Sequence, residues 1–312
     1  MTTVRSEDRE GGVRLLTLDR PPANAITPQL LNDLSAALDA AREDGLVRAV
    51  VLTGEGRFFS AGLDLRGGID FAAAVSPGAT AADPFAALRE CLLNFLRFPK
   101  PTVAMLRGHA IAGGLILVLA CDYRLGLFPS GSDALGGGSE PGGYKVGLNE
   151  VAIGASFPRG AFEVVRLRLT HQQASELLLG AALYPASHVV HLGIVDELLP
   201  AETLEGTVLR RAAHLGSFPH EAFAHTKAAL VAESIGRIEA DTPEEVQRTP
   251  CGCRRRVSPR ARNRPAGYPG ARDSRSEHHP AVQYRLYTNN YATRRNANSS
   301  RCVHYNDGLL CR

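Results

Sequence analysis

Between Val13 and Ala120 the chain alternates strand-like and helix-like apolar runs, with glycine-bearing turns at two strand ends, and few architectures accommodate that order. Val13-Arg14-Leu15-Leu16-Thr17-Leu18 has strand character, and Pro21-Pro22-Ala23-Asn24 breaks it. Thr27 stands where it can cap a helix opened by Pro28, and Leu30, Leu31, Leu34, Leu38 and Ala41 recur at helical spacing. Residues 48–53 read as a second, largely buried strand. A second unit follows the Ala61-Gly62-Leu63 turn. Asp83 and Pro84 start a helix with Phe85, Leu88, Leu92, Phe95 and Leu96 along one face, ended by Phe98-Pro99-Lys100-Pro101. Strand 102–106 then leads through Gly113-Gly114 into an apolar helix. The expectation is an α/β fold of repeated strand, turn and helix units.

The two glycine turns carry chemistry as well as shape. Phe59-Ser60-Ala61-Gly62-Leu63-Asp64-Leu65 and Gly108-His109-Ala110-Ile111-Ala112-Gly113-Gly114 can aim backbone N–H groups at one oxygen, and Gly147-Leu148-Asn149-Glu150 follows with a carboxylate. Removing a proton beside a thioester carbonyl builds charge on the carbonyl oxygen, where one well-placed donor stabilises the transition state by about 3 kcal/mol. A glutamate nearby can move the proton. A Gly-Gly pair alone reads more readily as a tight turn. The matching Ser60-Ala61-Gly62 turn favours the catalytic reading.

These strings, with Cys121-Asp122-Tyr123-Arg124 and Gly193-Ile194-Val195-Asp196-Glu197, resemble the crotonase, or enoyl-CoA hydratase/isomerase, superfamily over most of residues 10–240. The resemblance implies a spiral of ββα units with a C-terminal helical region, spanning 1–200 and 201–247. It implies that the N–H groups of Leu63 and Gly113 form the oxyanion hole and that Glu150 is the acid/base. Relatives that hydrate use two glutamates, and at the first of those positions this chain has Ile116, three residues after Gly113, which would line the pocket as an apolar wall. Moving a double bond needs one base that takes a proton from C2 and returns it at C4. The strings look most like monofunctional Δ3,Δ2-enoyl-CoA isomerases, with a hydratase or other thioester enzyme as the alternative.

By the same resemblance, coenzyme A as part of an acyl-CoA substrate would touch Ala23, Ala25, Ala61, Gly62, Asp64 and Leu65, with Arg66 beside a phosphate. Asn149 would touch substrate or orient the loop, with local backbone bonding as the equal alternative, and Asp64 reads as a turn-stabilising residue rather than a base. No separate cofactor is expected, and the relatives imply a homotrimer or hexamer. Gly54-Glu55-Gly56 has Phe59 where a dinucleotide fingerprint needs its third glycine, and no phosphate loop occurs.

Thr170 and Gln173 have capping-box spacing, residues 187–192 precede a short strand at 194–198, and 202–235 read as helices interrupted near Gly216-Ser217-Phe218-Pro219. The longest apolar run, 110–121, is too short to span a bilayer, and the polar start of the chain makes a cytoplasmic location the expectation. Cys91 and Cys121 read as reduced core residues. Segment 128–143 is rich in Gly, Ser and Pro and reads as a flexible loop.

Charge divides the chain. Residues 1–247 hold 21 Lys+Arg against 29 Asp+Glu, a net of −8, whereas 248–312 hold 14 Arg, no Lys and 3 acidic residues, a net of +11. That tail lacks apolar periodicity, and its composition fits disorder or an out-of-frame end. A nucleic-acid grip by the tail is the rival from another class, disfavoured because no regular motif organises its tyrosines. Cys251-Gly252-Cys253 with His278 and His279 lacks the spacing of a zinc site.

Overall fold

The computed structural model describes residues 2–64, 84–129 and 143–240, all within a unit bounded by Met1–Val257. Leu65, Arg66, most of the 128–143 segment and the Arg-rich tail, with its cysteines and histidines, lie outside the described residues.

The chain opens with β1 (Val4–Arg9), β2 (Val13–Leu18) and α1 (Pro28–Glu43). Three units of two strands and a helix follow: β3 (Ala49–Gly54), β4 (Phe58–Ser60) and α2 (Pro84–Arg97); β5 (Thr102–Leu106), β6 (His109–Ile111) and α3 (Gly113–Ala120); β7 (Tyr123–Leu127), β8 (Lys145–Gly147) and α4 (Arg159–Arg168). Then come α5 (His171–Gly180), β9 (Tyr184–Pro185), β10 (Glu197–Leu199), α6 (Ala201–Gly216) and α7 (His220–Glu239). The first strand of each repeated unit joins a six-stranded sheet of order β1-β2-β3-β5-β7-β10, and the second joins a four-stranded sheet of order β4-β6-β8-β9. This alternation is the ββα spiral anticipated from sequence.

Period-two side-chain alternation lets the larger sheet bury both faces. Leu16, Leu18, Val50, Leu52, Ala104 and Leu106 face one apolar cluster with α1, α2 and α3. Val13, Leu15, Ala49, Val51, Val103 and Met105 face the other, closed by Leu204, Val208, Ala212 and Leu215 of α6. Thus α6 covers the back of the sheet, while α7 packs on α2 and α4. All eight residues of α3 are buried, as a helix apolar on every side requires. No helix among the described residues is long and apolar enough to cross a membrane.

Local signals set the helix ends. Thr27 accepts from the Leu30 N–H at the start of α1, and Lys100 Nζ donates to the carbonyls of Ala41 and Asp44 at its end, 2.6 and 2.8 Å away. Thr170 and Gln173 form the reciprocal capping box of α5. Thr170→Ala is expected to destabilise the protein by about 1 kcal/mol, read as a lower urea midpoint at unchanged slope; an unmoved midpoint would show the cap to be dispensable.

Beyond the C-terminal end of α3 lies a buried ionic cluster. Asp122 accepts from Lys227 Nζ of α7 at 2.7 Å, from Arg168 at 3.2 Å, and from the Thr102 N–H and hydroxyl. Arg168 also donates to the Leu119 and Ala120 carbonyls, satisfying groups the short helix leaves open. Cys91 and Cys121 are free and buried, and burial pushes both thiols up to about 12, so both stay protonated at neutral pH.

Candidate active site

The four-stranded sheet gathers the elements singled out from sequence. Its strands β4, β6 and β8 run parallel, and each leads directly into one element: β4 into Ala61-Gly62-Leu63, β6 into Ala112-Gly113, and β8 into Leu148-Asn149-Glu150. Parallel strands end on the same side of a sheet, so pairing alone delivers the three turns to one place.

Gly62 adopts φ +83°, in the region that favours glycine. A Cβ there would stand 2.8 Å from the Ile111 carbonyl oxygen and 3.3 Å from the Gly113 nitrogen. A Cβ on Gly113 would come within 3.9 Å of both Gly62 Cα and Leu63 Cγ. The two turns therefore touch through glycine, which sets Leu63 and Gly113 side by side. Neither N–H donates a hydrogen bond to any described residue. Gly113 is also the first residue of α3, where helical N–H groups point outward and a partial positive charge accumulates. The intervening Ala112 is held at φ 52°, ψ −128°, a strained backbone that costs about 1–3 kcal/mol.

Buried polar contacts fix the first turn. Ser60 Oγ donates to the Asn24 carbonyl at 2.7 Å and accepts from the Gly62 N–H at 3.2 Å. Asn24, itself at φ 48°, donates through Nδ2 to the Glu55 and Phe58 carbonyls. The Ala61 N–H donates to Ala23, the Ile26 N–H to Gly62, and the Asp64 N–H to Ile26. These bonds tie the segment of Ala23, Ala25 and Ile26 to that of Ala61, Gly62 and Asp64. Asp64 pairs with Arg20 at 2.9 Å, and Arg20 also donates to the Ala25 carbonyl, so this carboxylate serves as a tie between segments. The roles of Arg20, Asn24 and Ser60 arise from contacts between segments far apart in the chain, which no local pattern announces.

The loop bearing Glu150 is anchored to the second turn. The Ala112 N–H donates to the Gly147 carbonyl at 2.8 Å, and Glu150 lies three residues on, within about 11 Å of chain. A 3-10 turn, Val151–Ile153, follows it and ends at Gly154 in the left-handed region. One carboxylate oxygen, Oε2, is buried with no hydrogen-bond partner. Burial outweighs a bond from its own backbone N–H and pushes the group up to about 7, the range in which a carboxylate can both take and return a proton at neutral pH. Asn149, just before it, is partly buried. Ile116 is 1% exposed, on the helix that starts at Gly113.

Residues 8–246 match the family model described as enoyl-CoA hydratase/isomerase. The chain belongs to the enoyl-CoA hydratase/isomerase family. Human enoyl-CoA delta isomerase 1, mitochondrial, is 28% identical over 241 residues, covering 77% of this chain and 74% of that protein. A probable enoyl-CoA hydratase of Mycobacterium avium is 28% identical over 233 residues, 73% of this chain and 81% of its own length. The crystal structure of human mitochondrial Δ3-Δ2-enoyl-CoA isomerase superposes with a TM-score of 0.68 at 27% identity, covering 79% of this chain and 90% of that one. The chain is therefore an enzyme of this family with the crotonase fold, and its relatives carry both reaction names.

Proposed function

We propose that this enzyme moves the double bond of a 3-enoyl-CoA to the 2-position. The carrying observation is an apolar, fully buried Ile116 beside the paired turns, where hydrating relatives would present a second carboxylate, together with one desolvated carboxylate at Glu150.

In this reading Glu150 removes a proton from C2 of the thioester. The electron pair passes into a dienolate whose oxygen accepts from the N–H groups of Leu63 and Gly113. Glu150 then returns a proton at C4, leaving the double bond between C2 and C3. The N–H pair is worth more in a dry site than in water, since nothing competes for the developing charge. Ile116 and its neighbours on α3 offer no group to hold an attacking water. Coenzyme A enters as part of the substrate, along the edge formed by Ala23, Ala25 and Ala61. Assembly into three or six copies belongs to the same reading and rests on family resemblance.

Product analysis with 3-hexenoyl-CoA and, separately, 2-hexenoyl-CoA tests this reading. The expected result is conversion of the first to the 2-enoyl thioester with no 3-hydroxyacyl product from the second. Hydration of the second would replace the isomerase reading with the hydratase one.

A further inference from the structure

We propose that His109 is a positioning residue that holds the base-bearing strand β8 in register with the oxyanion strand β6. This rests on the site reading above, in which β4, β6 and β8 each deliver one working element.

His109 opens β6, the strand flanked by β4 and β8. Only two residue pairs join β6 to β8, Ala110 with Val146 and Ile111 with Gly147. Alongside them, the His109 side chain takes part: Nδ1 accepts the Lys145 N–H at 2.9 Å. Its ring lies against Phe58 of β4, with centroids 4.7 Å apart and planes inclined at 39°. Its own N–H donates to the Arg57 carbonyl at 3.0 Å. One side chain thus touches the strand leading to Leu63 and the strand leading to Glu150, from the strand that leads to Gly113.

The bond fixes the tautomer. To accept from Lys145, Nδ1 must be bare, so the proton sits on Nε2. A second proton would set two donors face to face and release the Lys145 N–H. Among the described residues the charges acting on the ring are Arg57, before β4, and Lys145 of β8. Burial first, then these two cations, holds the imidazole below its ordinary range, so the contact persists at neutral pH and opens in acid. Strand β8 is three residues long, and Glu150 follows it closely; a small shift there displaces the carboxylate from C2.

Two variants separate the ring from the acceptor. His109→Phe keeps an aromatic ring against Phe58 and removes the acceptor, whereas His109→Asn places an amide oxygen near the Nδ1 position. The Phe variant is expected to lose about tenfold in kcat with KM within about twofold, and the Asn variant to keep kcat within about threefold. Wild-type activity should fall in acid with two protons, and that of the Asn variant with one. Undiminished kcat in the Phe variant, or equal losses in both, would overturn the proposal.

A measurement on the unmodified chain covers the case in which the variants do not fold. With ¹⁵N-labelled histidine, His109 should show an unprotonated Nδ1, and the Lys145 amide should exchange faster once the ring titrates. A protonated Nδ1 at neutral pH would overturn the assignment. A chain inert toward both thioesters would defeat the activity reading alone, because the tautomer decides His109 without turnover.

Discussion

Glu150→Gln is expected to lower kcat for double-bond transfer by about 10²–10⁴-fold and, at pH 8, to raise stability by about 2 kcal/mol. Both effects follow from one carboxylate with a buried, unpartnered oxygen. Glutamine keeps the shape and cannot accept the C2 proton. The stability gain comes from the cost of ionising a desolvated acid. Its value rises from an ordinary 4.5 when unfolded to about 7 when folded, a difference equivalent to on the order of 3 kcal/mol. The amide retains part of the cost of burying a polar group, which brings the net gain to about 2 kcal/mol.

The pH dependence has a definite sign. Below 4.5 the carboxyl is protonated in both states and contributes nothing to the difference. As pH rises from there to about 7, the unfolded chain ionises first, so the wild type loses stability that the variant keeps. Above that, the gap is constant. Urea titrations at pH 4 and pH 8 read it directly: a gap at pH 8 that closes at pH 4 agrees, and an equal gap at both would place the cause elsewhere. Undiminished turnover by the variant would mean that another group is the base.

Gly114→Ala is expected to reduce kcat by about a hundredfold or more and to cost about 1–3 kcal/mol of stability. A Cβ at this position would lie 2.4 Å from the Ser60 carbonyl oxygen and 2.8 Å from Ser60 Cβ. These atoms are backbone and the base of a side chain pinned to Asn24, so they cannot swing aside. Relief requires the Ser60–Leu63 turn to part from α3, and that movement separates the two N–H donors. Gly45→Ala is the control: nothing lies within 4 Å of its Cβ, and activity should be unchanged. Wild-type activity in Gly114→Ala would show that the turns need not touch.

The sequence made α1 readable because Thr27, Pro28 and five apolar residues at helical spacing agree with one another. For the same reason β5 and the capping box of α5 were legible. Strand β1 was not, since Val4–Arg9 is an edge strand with one buried residue and carries no alternation to detect. Strands β4, β6 and β8 have three residues each, too few for any period, and β7 shows in the sequence only through the string Cys121-Asp122-Tyr123-Arg124. The short strand expected at 194–198 begins at Glu197, after residues that serve the turn around Gly193.

The site was legible in part through its glycines. Gly62 and Gly114 stand where a Cβ would meet neighbouring backbone within 3 Å, so the two glycine turns stand out without a structure. Glu150 stands out by its place in a string, but its unpartnered oxygen and desolvation depend on tertiary packing. Arg20, Asn24 and His109 contact segments remote in sequence, and such contacts leave no local pattern.

The most direct test of one glutamate working between C2 and C4 is to supply 3-hexenoyl-CoA deuterated at C2 in ¹⁸O-labelled water and to analyse the product. The account predicts 2-hexenoyl-CoA free of ¹⁸O, with deuterium recovered at C4, and about 10²–10⁴-fold slower formation by Glu150→Gln. A 3-hydroxyacyl product carrying ¹⁸O, formed at the same rate by both proteins, would contradict it.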